Sequence, residues 1–193
     1  MREYQSLLHN LPYELVTPAG LGLTLSVSES GSSLEENARL KATAFAEASG
    51  LLALADDSGL EVDALNGAPG PLSARYAGEN AADSDRISYL LAKLKGVPWE
   101  KRTARFRAVI AIAIPGNGVE ICTGERRGFI TPAPRGQHGF GYDPVFDLPE
   151  LDKTMTELPM AQKNRVSHRG QAAAKARQVL VQRQRQIIKE HQL

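Results

Sequence analysis

The chain has 193 residues, 42% of them hydrophobic and 23% charged, which is enough apolar material for a single globular domain over residues 1–193. Lys and Arg total 23 against 22 Asp and Glu, so the net charge of +1 gives no global field that would attract nucleic acid or a membrane surface. The single cysteine, Cys122, excludes an internal disulfide and a cysteine-rich zinc site, and it favours a cytoplasmic location. We find no targeting signal and no apolar run of the roughly 20 residues that a membrane helix needs.

The first part of the chain predicts two helices and a strand. Apolar residues recur at helical spacing over residues 4–11. Residues 33–36 are typical of a helix capping box, and the helix that they begin is predicted to end at Gly50. The unbroken apolar run 51–55 then predicts a buried strand, which we expect to end at the acidic pair Asp56-Asp57.

The rest of the chain mixes helices and strands. In order, the sequence predicts an irregular loop over 67–80, a helix from Asp83 or Ser84 to Leu94, a hairpin of strands 103–114 and 119–130, a glycine-rich loop over 136–144, and two helices over 159–166 and 170–190. This order is neither a strict β-α-β alternation nor all-β. It therefore predicts an α/β or α+β sheet with helices on its faces.

Asp56 and Asp57 are the first candidates for a metal site. Adjacent carboxylates at the end of a buried strand cost free energy unless a cation compensates them, and Mg²⁺ prefers oxygen ligands of this kind. An Asx-type turn, in which Asp57 and Ser58 cap loop amides, explains the same residues without a metal. Glu36 becomes a third candidate ligand if its helix begins near the end of the strand, although its place in a capping box already accounts for it.

Two other segments have the composition of a nucleotide site. Residues 163–170 hold three fixed cations and one histidine, which suits a polyphosphate, although a solvated helix end has the same composition. In the loop 139–143, two glycines flank Phe140, so a flat ligand would have access to its ring. A tight turn with Phe140 and Tyr142 in the core is the alternative. The sequence contains neither a Walker A loop nor a Rossmann fingerprint.

Five short segments of this chain are informative only when they are taken together. They are Glu35-Glu36-Asn37-Ala38, Ala55-Asp56-Asp57-Ser58-Gly59-Leu60, Ser73-Ala74-Arg75-Tyr76, Gly139-Phe140-Gly141-Tyr142-Asp143-Pro144, and Lys163-Asn164 with Ser167-His168-Arg169-Gly170. Their order and spacing, over about residues 2–180, resemble the inosine triphosphate pyrophosphatase family.

This resemblance implies both a fold and an activity. The implied fold is α/β and two-lobed, with a long mixed central β-sheet flanked by helices and an active-site cleft between the lobes. The implied protein is a homodimeric enzyme that requires Mg²⁺. It would hydrolyse deaminated purine nucleoside triphosphates such as dITP, ITP and XTP to the monophosphate and pyrophosphate, which keeps them out of DNA and RNA.

The resemblance also implies a role for each matching residue. Asp57 would be the general base and, with Glu36, a Mg²⁺ ligand, while Asp56 would support them. Lys163 would bind the triphosphate, Phe140 would stack on the purine, and the base edge would be read by His168 and Arg169. The remaining substrate contacts would be Ser58, Gly141, Tyr142 and Asp143. Water activated by Asp57 would attack the α-phosphorus and expel pyrophosphate.

One departure from the family pattern concerns the start of the chain. Family members begin with a strand that ends in a Thr/Ser-x-Asn-x-x-Lys loop, which grips the phosphates. This sequence begins at Met1, just after the position expected for that lysine. We therefore expect the native chain to carry an additional N-terminal strand and its phosphate-binding loop.

Three other functions remain as alternatives. The related septum-formation inhibitor family shares the fold and the reaction but prefers other nucleotides, and the segment Ser167-His168-Arg169 argues against it. A catalytically silent nucleotide-binding module is the second alternative. The third is a nucleic-acid contact through residues 177–189, but their charges are interleaved with glutamine and apolar residues, as on a solvated helix face.

Overall fold

The computed structural model describes residues 2–137 and 139–190. Its helices are α1 (Arg2–Leu7), α2 (Leu34–Ser49), α3 (Asp83–Lys93), α4 (Met160–Val166) and α5 (His168–Glu190). Its strands are β1 (Ala53–Val62), β2 (Pro69–Gly70), β3 (Thr103–Ala113), β4 (Val119–Ile130), β5 (Phe146–Leu148) and β6 (Lys153–Thr154). The predicted α/β class is confirmed. Within the described part of the chain, no helix is long and apolar enough to cross a bilayer.

The six strands form one sheet in the order β2-β1-β3-β4-β5-β6. β3 and β4 are the predicted hairpin, and Ile114 N donates a hydrogen bond of 3.1 Å to Gly118 O at its turn. β2 pairs antiparallel with β1, and β5 pairs antiparallel with both β4 and β6. The family resemblance led us to expect a mixed sheet, whereas antiparallel pairing dominates the observed one. Short connections join most of these neighbouring strands, and strands joined by short connections run antiparallel.

The chain divides into two compact units. The first unit is built from the segment that ends at Asp57, from Ala108–Gly124 and from the segment that begins at Arg169. The second unit is built from Ser58–Arg107 and Glu125–His168, so β1, β3 and β4 each contribute residues to both units. The organisation as a single domain and the active-site cleft stay predictions.

In the first unit, alternate residues of β3 pack against different helices. The residues that pack against α2 are Val109, Ala111 and Ala113, and those that pack against α5 are Ala108, Ile110 and Ile112. Successive side chains of a strand point to opposite faces of a sheet. This part of the sheet is therefore covered by α2 on one face and by α5 on the other.

The second unit has a core of its own around the predicted apolar stripe of α3. Ile87 and Leu90 of α3, with Leu94 just after it, are buried in one cluster with residues of β1, β3 and β5. Within this cluster the rings of Phe106 and Phe146 lie 4.3 Å apart between centroids. Burial of this stripe explains why the predicted helix forms; it spans Asp83–Lys93, and its N-cap is Ala82, not Asp83 or Ser84.

The predicted end of the acidic strand is wrong. The strand was expected to stop before Asp56, whereas β1 continues through Asp56 and Asp57 to Val62. Gly59, which resembles a turn residue in the sequence, instead allows a close approach of two strands: a Cβ there would lie 2.3 Å from the carbonyl oxygen of Gly70 in β2. The two carboxylates therefore belong to the interior of a strand and project from its opposite faces.

α5 begins two residues earlier than predicted. The expected break over 167–170 is reduced to Ser167, which is extended with ψ of 157° and ends α4. His168 and Arg169 are the first two residues of α5. Both side chains therefore project from the first turn of a helix and not from a loop.

Candidate active site

α2 carries two polar side chains on a face that is otherwise lined with alanine. Asn37 and Lys41 are four residues apart and so lie on the same side of the helix, next to the buried Ala38 and Ala42. Asn37 is fully buried, and the side chain of Lys41 is 19% exposed. Buried polar groups require hydrogen-bond partners, and β1 supplies one for both of them.

That partner is Asp57. Asn37 Nδ2 donates to Asp57 Oδ2 at 3.3 Å, and Lys41 Nζ forms an ion pair with Asp57 Oδ1 at 2.9 Å. Burial raises the pKa of the Asp57 carboxyl above its ordinary value, although the Lys41 ammonium partly opposes this effect. The carboxylate is thus fixed in orientation by two donors from a single helix.

Glu29 is a second carboxylate at the same lysine. Lys41 Nζ lies 2.8 Å from Glu29 Oε1. The segment that carries Glu29 is tied to the start of α2, because Gly31 N donates to Asn37 Oδ1 at 2.8 Å. A Cβ at position 31 would lie 2.7 Å from that oxygen, so only glycine fits there. Burial lowers the pKa of Lys41, but Glu29 and Asp57 outweigh it and the pKa is raised.

Glu36 and Asp56 are not part of this group. Ser32 N and Oγ donate to Glu36 Oε2 at 2.6 and 2.9 Å, and these bonds lower the pKa of the exposed Glu36 carboxyl. Asp56 faces Arg169, with 3.7 Å between Oδ2 and Nε. Among residues 2–137 and 139–190, no three His, Cys, Asp or Glu side chains are placed to hold a metal together. The cluster of three carboxylates expected from the sequence is therefore not assembled, because Glu36 bonds to the residues before α2 and Asp56 projects from the other face of β1.

Glu29 and Asp57 nevertheless fit a magnesium ion. Mg²⁺ is commonly bound by one or two carboxylates together with waters and substrate phosphates, so a third carboxylate is not required. Both carboxylates already accept a cation, the Lys41 ammonium, between them. Two carboxylates around one ammonium leave a net negative charge, which a divalent cation would compensate.

In the second unit, the glycine-rich loop exposes one aromatic ring and buries the other. Phe140 is 48% exposed, whereas Tyr142 is 4% exposed. Tyr142 Oη donates to the carbonyl oxygen of Ser73 at 2.9 Å, and burial raises the pKa of the phenol far above its ordinary value. Tyr142 is therefore a core residue, as the alternative interpretation of this loop expected. The ring of Phe140 is not, and it has the exposure that stacking on a flat ligand requires.

Lys163 and Asp143 form a buried ion pair beside Phe140. Lys163 Nζ lies 2.5 Å from Asp143 Oδ2, and the two side chains are 7% and 4% exposed. The same nitrogen lies 4.6 Å from the centroid of the Phe140 ring, a cation–π contact. Asp143 Oδ2 also accepts a hydrogen bond of 3.2 Å from Phe140 N. The structure thus brings together three of the residues predicted to bind substrate.

The other predicted substrate contacts occupy different surroundings. His168 is buried and stacks on Phe106, with 4.7 Å between ring centroids and an interplanar angle of 13°. Arg169 contacts Asp56, as described above. Ser58 is half-buried in β1, next to Asp57 in the sequence. The substrate contacts predicted for Ser58, His168 and Arg169 stay predictions.

Sequence reasoning missed Glu29, Asn37 and Lys41. One signal was present in the sequence: Asn37 and Lys41 interrupt an alanine-rich helix face at a spacing of four, which marks polar residues turned towards the protein interior. Glu29 had no comparable signal, because it lies in an irregular segment whose path only the contacts of Gly31 define.

Comparison with known proteins identifies the family. The model of the Ham1 family matches residues 1–179. The dITP/XTP pyrophosphatase of Bacillus subtilis is 44% identical over 180 residues, which are 93% of this chain and 91% of the relative. That of Geobacter sulfurreducens is 49% identical over 174 residues, which are 90% and 87% of the two chains. The solved structure of a HAM1 protein from Coxiella burnetii has a TM-score of 0.87 at 42% identity and covers 94% of this chain and 92% of that chain. These matches confirm the resemblance carried by the five segments, and the chain belongs to the Ham1 family.

Proposed function

We propose that this protein hydrolyses the deaminated purine nucleoside triphosphates dITP, ITP and XTP to the monophosphate and pyrophosphate, and so keeps them out of DNA and RNA. The observation that carries the proposal is the pair of carboxylates, Glu29 and Asp57, held around Lys41. Such a group suits the metal-assisted hydrolysis of a phosphate anhydride. The names of the relatives from Bacillus subtilis and Geobacter sulfurreducens, both dITP/XTP pyrophosphatases, support the choice of substrate.

Asp57 and Glu29 are the proposed ligands of Mg²⁺. Glu29 takes the place that the sequence suggested for Glu36, because the Glu36 carboxylate accepts hydrogen bonds from Ser32 and is exposed. When bound, Mg²⁺ would neutralise part of the charge of the phosphates. The Lys41 ammonium keeps the two carboxylates close together, because it lies 2.8 Å from Glu29 and 2.9 Å from Asp57.

The proposed chemical step uses Asp57 as the general base. A carboxylate oxygen of Asp57 accepts a proton from a water molecule, whose oxygen forms a bond to the α-phosphorus. The bond between the α-phosphorus and the oxygen that leads to the β-phosphorus breaks, and pyrophosphate leaves with that oxygen. Asn37 and Lys41 hold the carboxylate in place for this transfer.

The purine is assigned to the loop around Phe140. Its half-exposed ring offers a stacking surface, and Gly141, Tyr142 and Asp143 complete the loop. Lys163 lies against that ring and on Asp143, so its position favours a contact near the base over the predicted contact with the triphosphate. Donors such as those of Arg169 match a 6-oxo group, but they would face the 6-amino group of adenine donor to donor.

Two further properties belong to the proposal. A homodimer is the expected assembly, which sedimentation equilibrium of the purified chain would test. A cytoplasmic location is expected from the single cysteine, Cys122, which is buried as a thiol.

The proposed function is tested by pyrophosphate release from dITP, ITP, XTP, dATP and dGTP, each with and without Mg²⁺. We expect Mg²⁺-dependent turnover of the first three, with kcat/KM at least about 100-fold above that for dATP. Saturable binding of dITP without pyrophosphate release would support a silent binding module instead. A preference for nucleotides other than these three would favour the septum-formation inhibitor family.

The choice of Glu29 over Glu36 as metal ligand has a separate test. Glu29→Gln should raise the Mg²⁺ concentration for half-maximal turnover at least about tenfold. Loss of a residue that only hydrogen-bonds to a metal ligand already weakens metal affinity about that much, and loss of the ligand itself should weaken it at least as much. Glu36→Gln is the matched control, since it removes the same charge near the start of α2, and it should shift that concentration by less than about twofold. A larger shift from Glu36→Gln would restore the prediction made from the sequence.

A further inference from the structure

The loop that carries Phe140 is anchored to the first residue of α3. Gly141 N donates a hydrogen bond of 2.6 Å to Oδ2 of Asp83. Gly141 has a φ of 59°, in the left-handed region, so the chain reverses at the residue that makes this bond. Because Phe140 directly precedes Gly141, the direction of its ring depends on where this amide is held.

Asp83 is itself held by Arg86, one turn later in α3. The other oxygen of Asp83, Oδ1, forms an ion pair with Arg86 Nη2. Arg86 Nη1 donates to the carbonyl oxygens of Ala74 and Ala81, at 2.9 and 2.6 Å. Burial raises the pKa of Asp83, but the Gly141 amide and Arg86 lower it more, so the carboxyl is ionised at neutral pH.

The segment Ser73-Ala74-Arg75-Tyr76, for which the sequence suggested no role, accepts hydrogen bonds from both Arg86 and the Phe140 loop. The Ser73 carbonyl accepts from Tyr142 Oη at 2.9 Å, and the Ala74 carbonyl accepts from Arg86. Ser73 Oγ in turn accepts from Leu60 N at 2.8 Å and donates to Gly70 O at 2.6 Å. The two residues that follow Phe140 are therefore both connected to this segment next to the sheet: Gly141 through Asp83 and Arg86, and Tyr142 directly.

We propose that Asp83, oriented by Arg86, is a positioning residue that holds Phe140 in the orientation in which it stacks on the base. The inference rests on the proposed function of Phe140 as the stacking residue. Asp83 acts through the Gly141 amide, not on the substrate. A loop that has lost this anchor must be ordered by the ligand, and that cost weakens binding without changing the chemical step.

The anchor is tested first by a measurement that needs no activity. Hydrogen–deuterium exchange of the full chain, followed by mass spectrometry of peptides that include Gly141, compares the wild type with Asp83→Ala and Asp85→Ala. Asp85 is the matched control, because it lies in the same helical turn and accepts from Ala82 N at 3.0 Å. Exchange at Gly141 should be about tenfold faster in Asp83→Ala and unchanged in Asp85→Ala. Unchanged exchange in Asp83→Ala would overturn the inference.

The second test asks whether Asp83 acts through Phe140. With dITP, Asp83→Ala should raise KM about tenfold and leave kcat within about twofold, and Asp83→Asn, which keeps an acceptor oxygen, should recover most of the loss. In a Phe140→Ala background, Asp83→Ala should change KM by less than about twofold. An undiminished effect in that background would overturn the inference. If the wild type releases no pyrophosphate, the proposed function fails, and the affinity for inosine monophosphate, measured by calorimetry, then replaces KM in the same comparison.

Discussion

Asp57→Asn is expected to lower kcat for pyrophosphate release from dITP by at least about 10³-fold. Asparagine has the shape of aspartate and can still accept a hydrogen bond from Lys41, but it cannot take the proton of the attacking water. The position is well suited to this substitution, because the Asp57 side chain is 11% exposed and contacts both Asn37 and Lys41. Single-turnover kinetics at saturating Mg²⁺ and dITP would measure the loss, and the melting temperature would show that the variant is folded.

Asp56→Asn is the matched control for this prediction. Asp56 is the adjacent residue of β1, but it projects from the opposite face and contacts Arg169 at 3.7 Å. We expect its replacement to lower kcat less than about tenfold, as for the loss of a partly exposed ion pair. Together the two variants decide which carboxylate is the base. The assignment to Asp57 would be wrong if Asp56→Asn lost as much activity, or if Asp57→Asn kept more than about a tenth of kcat.

The elements of the fold were predictable where the signal is local. The cap of α2 is one example: Ser33 Oγ accepts from Glu36 N, and Gly50 ends the helix with a φ of 69°. The hairpin of β3 and β4 is another, with its turn at the predicted position. The end of β1 was not predictable in this way, because Asp57 contacts Lys41 of α2 and Gly59 lies close against Gly70 of β2, and neither contact can be read from the local sequence. Local preference alone assigns such residues to a turn.

The candidate site was predictable in its residue types but not in its grouping. Phe140, Asp143 and Lys163 do lie together, although they come from segments 20 residues apart. For the acidic residues, the sequence pointed to Glu36 as the glutamate near Asp57 and gave no signal for Glu29. Glu36 satisfies the cap pattern and accepts a hydrogen bond from Ser32. Glu29 lies near Asp57 because both carboxylates contact Lys41, one turn further along α2. Tertiary contact, not local pattern, decides between them.

Lys163→Met is expected to destabilise the protein by about 3–5 kcal/mol, the usual cost of breaking a buried ion pair from one side. The side chain of Asp143 is 4% exposed and lies 2.5 Å from Lys163 Nζ, so the substitution leaves a carboxylate that water cannot reach. Methionine fills most of the volume of the lysine stem, so the loss of packing is small. For a chain of this size, such a loss lowers the melting temperature by roughly 10 °C, which differential scanning calorimetry without ligand would measure.

The double variant Asp143→Asn/Lys163→Met separates the charge from the packing. Asparagine can still accept the hydrogen bond from Phe140 N, and it no longer requires a cation. We therefore expect the double variant to be more stable than Lys163→Met alone, by at least about 2 kcal/mol, because the two substitutions are coupled. Additive losses would show that Lys163 stabilises the loop by packing on the ring of Phe140 and not by neutralising Asp143.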